Sequence, residues 1–122
     1  MKITAGKLKG ISAVADSKGV IAAAAMDQRG SLQKSLAKEK GVETSGITPQ
    51  MMSEFKTAVS RILTPHASAI LLDPEFGLEA VKAKASHAGV LLAYEQTGYD
   101  HTLPGRIPSL IPYLTVKKAM AA

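Results

Sequence analysis

The sequence predicts an α/β fold built on parallel strands. Three short apolar runs, at 20–26, 69–72 and 89–94, have strand length and are bounded by turn residues. Stretches with helical spacing separate them, giving a βαβαβ order that implies parallel pairing through right-handed crossovers. Each run is followed directly by an acid: Asp27, Asp73 and Glu95.

Residues 7–15 space Leu8, Ile11 and Val14 for a short helix, which Ser17-Lys18-Gly19 ends. The run at 20–26 contains four alanines, residues of high helix propensity. Its length and flanking turns favour a strand, buried on both faces as parallel strands commonly are. Ser31 is expected to cap a helix reaching Lys40, with Leu32 and Leu36 on its inner face. Residues 41–47 read as a loop. Thr48-Pro49 then starts a helix, combining a capping hydroxyl with Pro at the first helical position. Met51, Phe55, Ala58 or Val59, and Ile62 mark its expected buried face, and Thr64-Pro65 its end. Residues 69–72 form the second strand, 78–85 a helix, and 89–94 the third strand. Four Gly and Pro residues make 96–108 a loop, and 110–120 is a last helix if Pro112 lies in its first turn.

Composition limits the chemistry. The 122 residues suit one domain, with 15 Lys and Arg against 10 Asp and Glu for a net charge of +5. The basic residues are scattered and not interleaved with aromatics, so no nucleic-acid partner is expected. A modest positive field favours small anions, phosphorylated metabolites among them. The absence of Cys excludes a disulfide scaffold, a Cys-based zinc site and thiol catalysis. His66, His87 and His101 lack metal-ligand spacing, so no metal is expected. The longest apolar run, 20–26, is too short to cross a bilayer and lacks signal-peptide flanks. The expectation is a cytoplasmic protein without a membrane partner.

The candidate site follows from the strand ends, where ligands meet parallel α/β sheets. Asp27-Gln28-Arg29-Gly30 offers a carboxylate, an amide and a guanidinium suited to a phosphorylated polyol, or it is an ordinary turn. Asp73-Pro74-Glu75 is either a ligand contact or an Asx-type turn with Glu75 in water. Glu95 is either a buried acid or the first residue of a loop.

Longer strings carry a resemblance. Met26-Asp27-Gln28-Arg29-Gly30, the stretch 63–78 containing Leu71-Leu72-Asp73-Pro74-Glu75-Phe76-Gly77, and Leu91-Leu92-Ala93-Tyr94-Glu95-Gln96-Thr97-Gly98-Tyr99-Asp100 occur in order. Together they closely resemble the tagatose 1,6-bisphosphate aldolase family of class I aldolases, from about Gly19 onward. The resemblance implies a (β/α)₈ TIM barrel of which residues 1–122 are the amino-terminal segment, a partial barrel of about three βα units. It implies cleavage of D-tagatose 1,6-bisphosphate to dihydroxyacetone phosphate and glyceraldehyde 3-phosphate through a lysine Schiff base, without a cofactor. Asp27 and Glu95 match catalytic positions. Gln28 and Asp73 match substrate-binding ones, and Arg29 matches either a substrate-phosphate partner or a structural one. The family's Schiff-base lysine lies on later strands, beyond a point corresponding to Ala122. None of Lys82, Lys84, Lys117 or Lys118 sits at a strand end to replace it. The chain is therefore expected to be inactive alone, and the complete enzyme is expected to self-associate. Two rival readings are a sibling aldolase for another ketose phosphate or sulfonated sugar phosphate, and a non-catalytic sugar-phosphate-binding module.

Overall fold

A computed structural model describes residues 2–99, 102, 104–105 and 107–121. His101 and Asp100 lie outside the described residues. Three parallel strands, β1 (Ala23–Met26), β2 (Ala69–Leu72) and β3 (Gly89–Leu92), pair in the order β1-β2-β3. Their register aligns Met26, Leu72 and Leu92, so the three carboxyl ends finish level. Among the described residues, five α-helices accompany them: α1 (Ala5–Val14), α2 (Gly30–Lys40), α3 (Pro49–Leu63), α4 (Leu78–Ala83) and α5 (Val116–Ala121). This is the expected βαβαβ order in an open sheet. No helix among the described residues is long and apolar enough to cross a membrane.

The central strand holds the core together. Ile70 and Leu72 are fully buried and pack with Ala80 of α4, while Ala24, Met26 and Val81 close around them. Ile70 and Leu72 each contribute about 1.5–3 kcal/mol by leaving water. A second cluster joins Ala37 of α2, Ile47 and Met52 of α3, with Leu32, Leu36, Met51 and Phe76 around it. Thr48 caps α3 as expected, its hydroxyl accepting from the Met51 amide at 3.2 Å.

Several elements depart from expectation for identifiable reasons. The first strand is not buried on both faces: Ala23 and Ala25 are exposed, and Val20 and Ile21 precede the strand. It is an edge strand, and among the described residues no strand pairs with its outer side. Ser31 does not cap α2, because the helix starts at Gly30 with Arg29 at the cap position and no side-chain cap bond. The apolar stripe predicted for α3 is out of phase. Its buried residues are Met52, Lys56 and Ser60, whereas Phe55 is 36% exposed and Ile62 68%. Two polar residues occupy the inner face, Lys56 with partners inside the fold and Ser60 with none for its hydroxyl among the described residues, which an apolar count cannot anticipate. Helix α4 stops at Ala83, two residues early, where the Ala85 amide turns to the Thr64 hydroxyl at 2.8 Å. The last helix starts at Val116. Before it, Leu110 bridges Glu95 in antiparallel fashion, and the Ile111 amide reaches the Tyr94 carbonyl at 3.0 Å.

The amino ends of the strands are fastened through Ser68. Its hydroxyl donates to the Val14 carbonyl at 2.7 Å and accepts from the Ala22 amide at 2.9 Å. Its carbonyl accepts from Gly89 at 2.8 Å. These bonds draw the end of α1 onto β3, and only glycine fits there: a Cβ on Gly89 would stand 2.1 Å from the Ala13 carbonyl oxygen. Gly89→Ala is therefore expected to destabilise the chain by about 1–3 kcal/mol, the usual range for overpacking. Gly30→Ala, with open space around its Cβ, should leave stability unchanged or raise it. Paired thermal denaturation curves check both.

Candidate functional site

The carboxyl ends of β1 and β3 open onto a cavity of about 210 Å³. Asp27, Gln28 and Arg29 enter it from the turn after β1, and Ala93, Glu95 and Tyr99 from the chain after β3. Asp27 and Arg29 are half-buried, while Gln28 and Glu95 are exposed. The two walls are tied directly. Arg29 Nη2 donates to the Glu95 main-chain carbonyl at 2.8 Å. Among the described residues, Arg29 Nε is buried without a hydrogen-bond partner. The guanidinium therefore braces one wall against the other, while its Nε stays buried.

Glu95 is not a buried acid. Strand β3 ends at Leu92, three residues earlier, and the backbone at 94–96 runs beside 109–111. That pairing sets the direction of the wall and leaves the Glu95 carboxylate at the rim. A carboxylate, an amide and a guanidinium thus converge with a rim acid, a set able to hold a hydroxylated, anionic molecule and move a proton on it.

Asp73 is placed differently. Its side chain is fully buried beneath the carboxyl ends of β1 and β2. One carboxylate oxygen accepts from the amides of Glu75 at 2.9 Å and Phe76 at 2.8 Å, the Asx-type turn weighed in the sequence. The other oxygen pairs with Lys56 Nζ. Asp73 thus offers no surface to a ligand here, and Glu75 is solvated.

Lys56 is the residue that sequence reasoning missed. It projects from the middle of α3 and has no exposed surface. Its ammonium donates to the Met26 carbonyl at 2.8 Å, the Gln28 carbonyl at 2.7 Å, and Asp73. An ammonium has three N–H donors, and all three are used. The desolvation cost of burying the charge is thereby offset by one opposite charge and two peptide dipoles. The available signal was the row Met52, Lys56, Ser60 and Thr64, spaced four apart on one helix face. Among the described residues, no group of three or more His, Cys, Asp or Glu is arranged to hold a metal ion.

Residues 21–122 match the family model described as DeoC/LacD family aldolase. The chain belongs to this aldolase family. It is 49% identical over 115 residues to tagatose 1,6-diphosphate aldolase of Listeria monocytogenes serotype 4a, covering 94% of this chain and 33% of that protein. Tagatose 1,6-diphosphate aldolase 1 of Enterococcus faecalis is 47% identical over 121 residues, covering 99% and 36%. The enzyme of the same name from Streptococcus pyogenes serotype M3 is 45% identical over 122 residues, covering 100% and 36%. The chain thus spans about a third of the length of these curated relatives. The matched region includes all three strands and, among the described residues, every one that lines the cavity.

The buried pair makes a stability prediction. Lys56→Met leaves Asp73 charged, buried and without its cation, and is expected to cost about 3–5 kcal/mol. The double variant Lys56→Met, Asp73→Asn removes both charges while the Asn side-chain oxygen can still accept from Glu75 and Phe76. It should recover at least half of that loss, read from urea denaturation of the two variants and the parent.

Proposed function

We propose that this chain supplies three βα units of a (β/α)₈ aldolase barrel that cleaves a ketose 1,6-bisphosphate, tagatose 1,6-bisphosphate first among candidates, into two triose phosphates. The observation that carries this reading is the convergence of Asp27, Gln28 and Arg29 with Glu95 on one cavity at the carboxyl end of a parallel sheet. The names of the relatives point to the same substrate.

Cleavage breaks the bond between C3 and C4 of the sugar. The C4 hydroxyl loses its proton and becomes the aldehyde of glyceraldehyde 3-phosphate. The bonding electrons pass to an iminium formed at C2 by a lysine from the remainder of the enzyme, and the resulting enamine takes a proton at C3. Asp27, which lines the cavity, takes the role of a proton-moving group near the reacting carbons, with Glu95 assisting from the rim. Gln28 can donate to and accept from hydroxyls of the sugar. Arg29 fixes the wall carrying Glu95 and brings a positive charge to the cavity lining, where it favours an anionic substrate. Asp73 contributes from behind the site, through Lys56. The setting is a cytoplasmic one in which free sugar phosphates are available.

The isolated 122-residue chain should release no dihydroxyacetone phosphate from tagatose 1,6-bisphosphate. A chimera joining residues 1–122 to the remaining two thirds of the Listeria relative should release it in a coupled triose-phosphate assay. In that chimera Asp27→Asn should lower kcat by about 10²- to 10⁴-fold, the range for loss of a general acid–base group. A folded chimera without cleavage activity, or activity in the isolated chain, would overturn the reading.

A further inference from the structure

We propose that Lys56 is a positioning residue for the site, fixing the place of Asp27 and Gln28 by gripping the backbone on both sides of Asp27. This rests on the aldolase reading for its catalytic consequence, but the geometry stands by itself. Lys56 Nζ bonds the carbonyls of Met26 and Gln28, the residues immediately before and after Asp27. Two peptide planes flanking one side chain are thus held from a single point, which limits rotation of the Asp27 backbone. The point is itself immobile. Asp73 anchors the ammonium, and Asp73 is fixed by the amides of Glu75 and Phe76 at the start of the next turn. Met52 and Ser60, one helical turn to either side, are fully buried, so α3 has little freedom to withdraw the lysine.

Among the described residues, few other hydrogen bonds hold this turn. Arg29, the cap residue of α2, provides no side-chain cap bond. The cross-tie from Arg29 to Glu95 comes after the Asp27-Gln28 segment, at its far side. Lys56 is fully buried and does not line the cavity that Asp27 and Gln28 line. It therefore orients the carboxylate and amide without contacting a ligand. A displacement of about 1 Å in such a group is enough to cost about 10²-fold in rate.

The test uses Lys56→Met, Asp73→Asn, which removes the grip without stranding a buried charge. Thr64→Val serves as the comparison: its hydroxyl is also buried, just past the end of α3, donating to the Ser60 carbonyl and accepting from the Ala85 amide, away from Asp27. In the 122-residue chain, ¹⁵N order parameters at Asp27 and Gln28 should fall from about 0.85 to below about 0.6 in the double variant. Those at Leu71 and Leu91 should hold, and Thr64→Val should leave Asp27 and Gln28 unchanged. In the chimera, the double variant should lose about 10²-fold in kcat at unchanged folded fraction, and Thr64→Val less than about twofold. Unaltered order at Asp27 and Gln28 in a folded double variant overturns the proposal, as does an equal loss in both variants. A chimera with native Lys56 that folds but does not cleave overturns the aldolase reading alone, because the order parameters judge the grip independently.

Discussion

A single buried ammonium organises the working end of this molecule. Lysine is seldom fully buried, because removing its charge from water is costly unless every donor finds a partner. Lys56 meets that condition with the carbonyls of Met26 and Gln28 and the carboxylate of Asp73. The three acceptors belong to two different strand exits and the donor to the helix between those strands. One nitrogen therefore couples β1, α3 and β2 at the end where the candidate site lies. The apolar clusters supply the bulk of cohesion, but they do not specify where the turn after β1 should lie.

The opposite end of the sheet obeys the same rule with a neutral group. Ser68 joins the end of α1, the residue before β1 and the start of β3 through one hydroxyl and one carbonyl. Hydroxyl and peptide partners suffice there because no charge is buried, so no counter-charge is required. The sheet is thus pinned at both ends by single polar residues. The carboxyl end carries Asp27, Gln28, Arg29 and Glu95 beyond the pin.

Much of the fold was legible because its signals are local. Thr48-Pro49 sets a helix start through cap chemistry and a fixed φ, and β2 stands out as four apolar residues followed by Asp-Pro. The strand-end acids were legible too, since a polar residue closing an apolar run is visible in one dimension. What was not legible depended on partners distant in sequence. The inner face of α3 could not be phased by hydropathy, because Lys56 and Ser60 are inside and Ile62 outside. The exposure of β1 follows from its place at the sheet edge, which its residues do not encode. Glu95 was misplaced relative to its strand because the pairing with Leu110, fifteen residues on, decides where that wall turns.

The brace across the cavity has a consequence for how such a site can diversify. Arg29 bonds the main-chain carbonyl of residue 95, not its carboxylate. Any amino acid at that position presents the same carbonyl, so the frame is indifferent to what the rim side chain is. Position 95 is thereby decoupled from the architecture that carries it. Selection can rewrite the rim for a different molecule while the wall stays in place, a freedom that a carboxylate–guanidinium link would have removed.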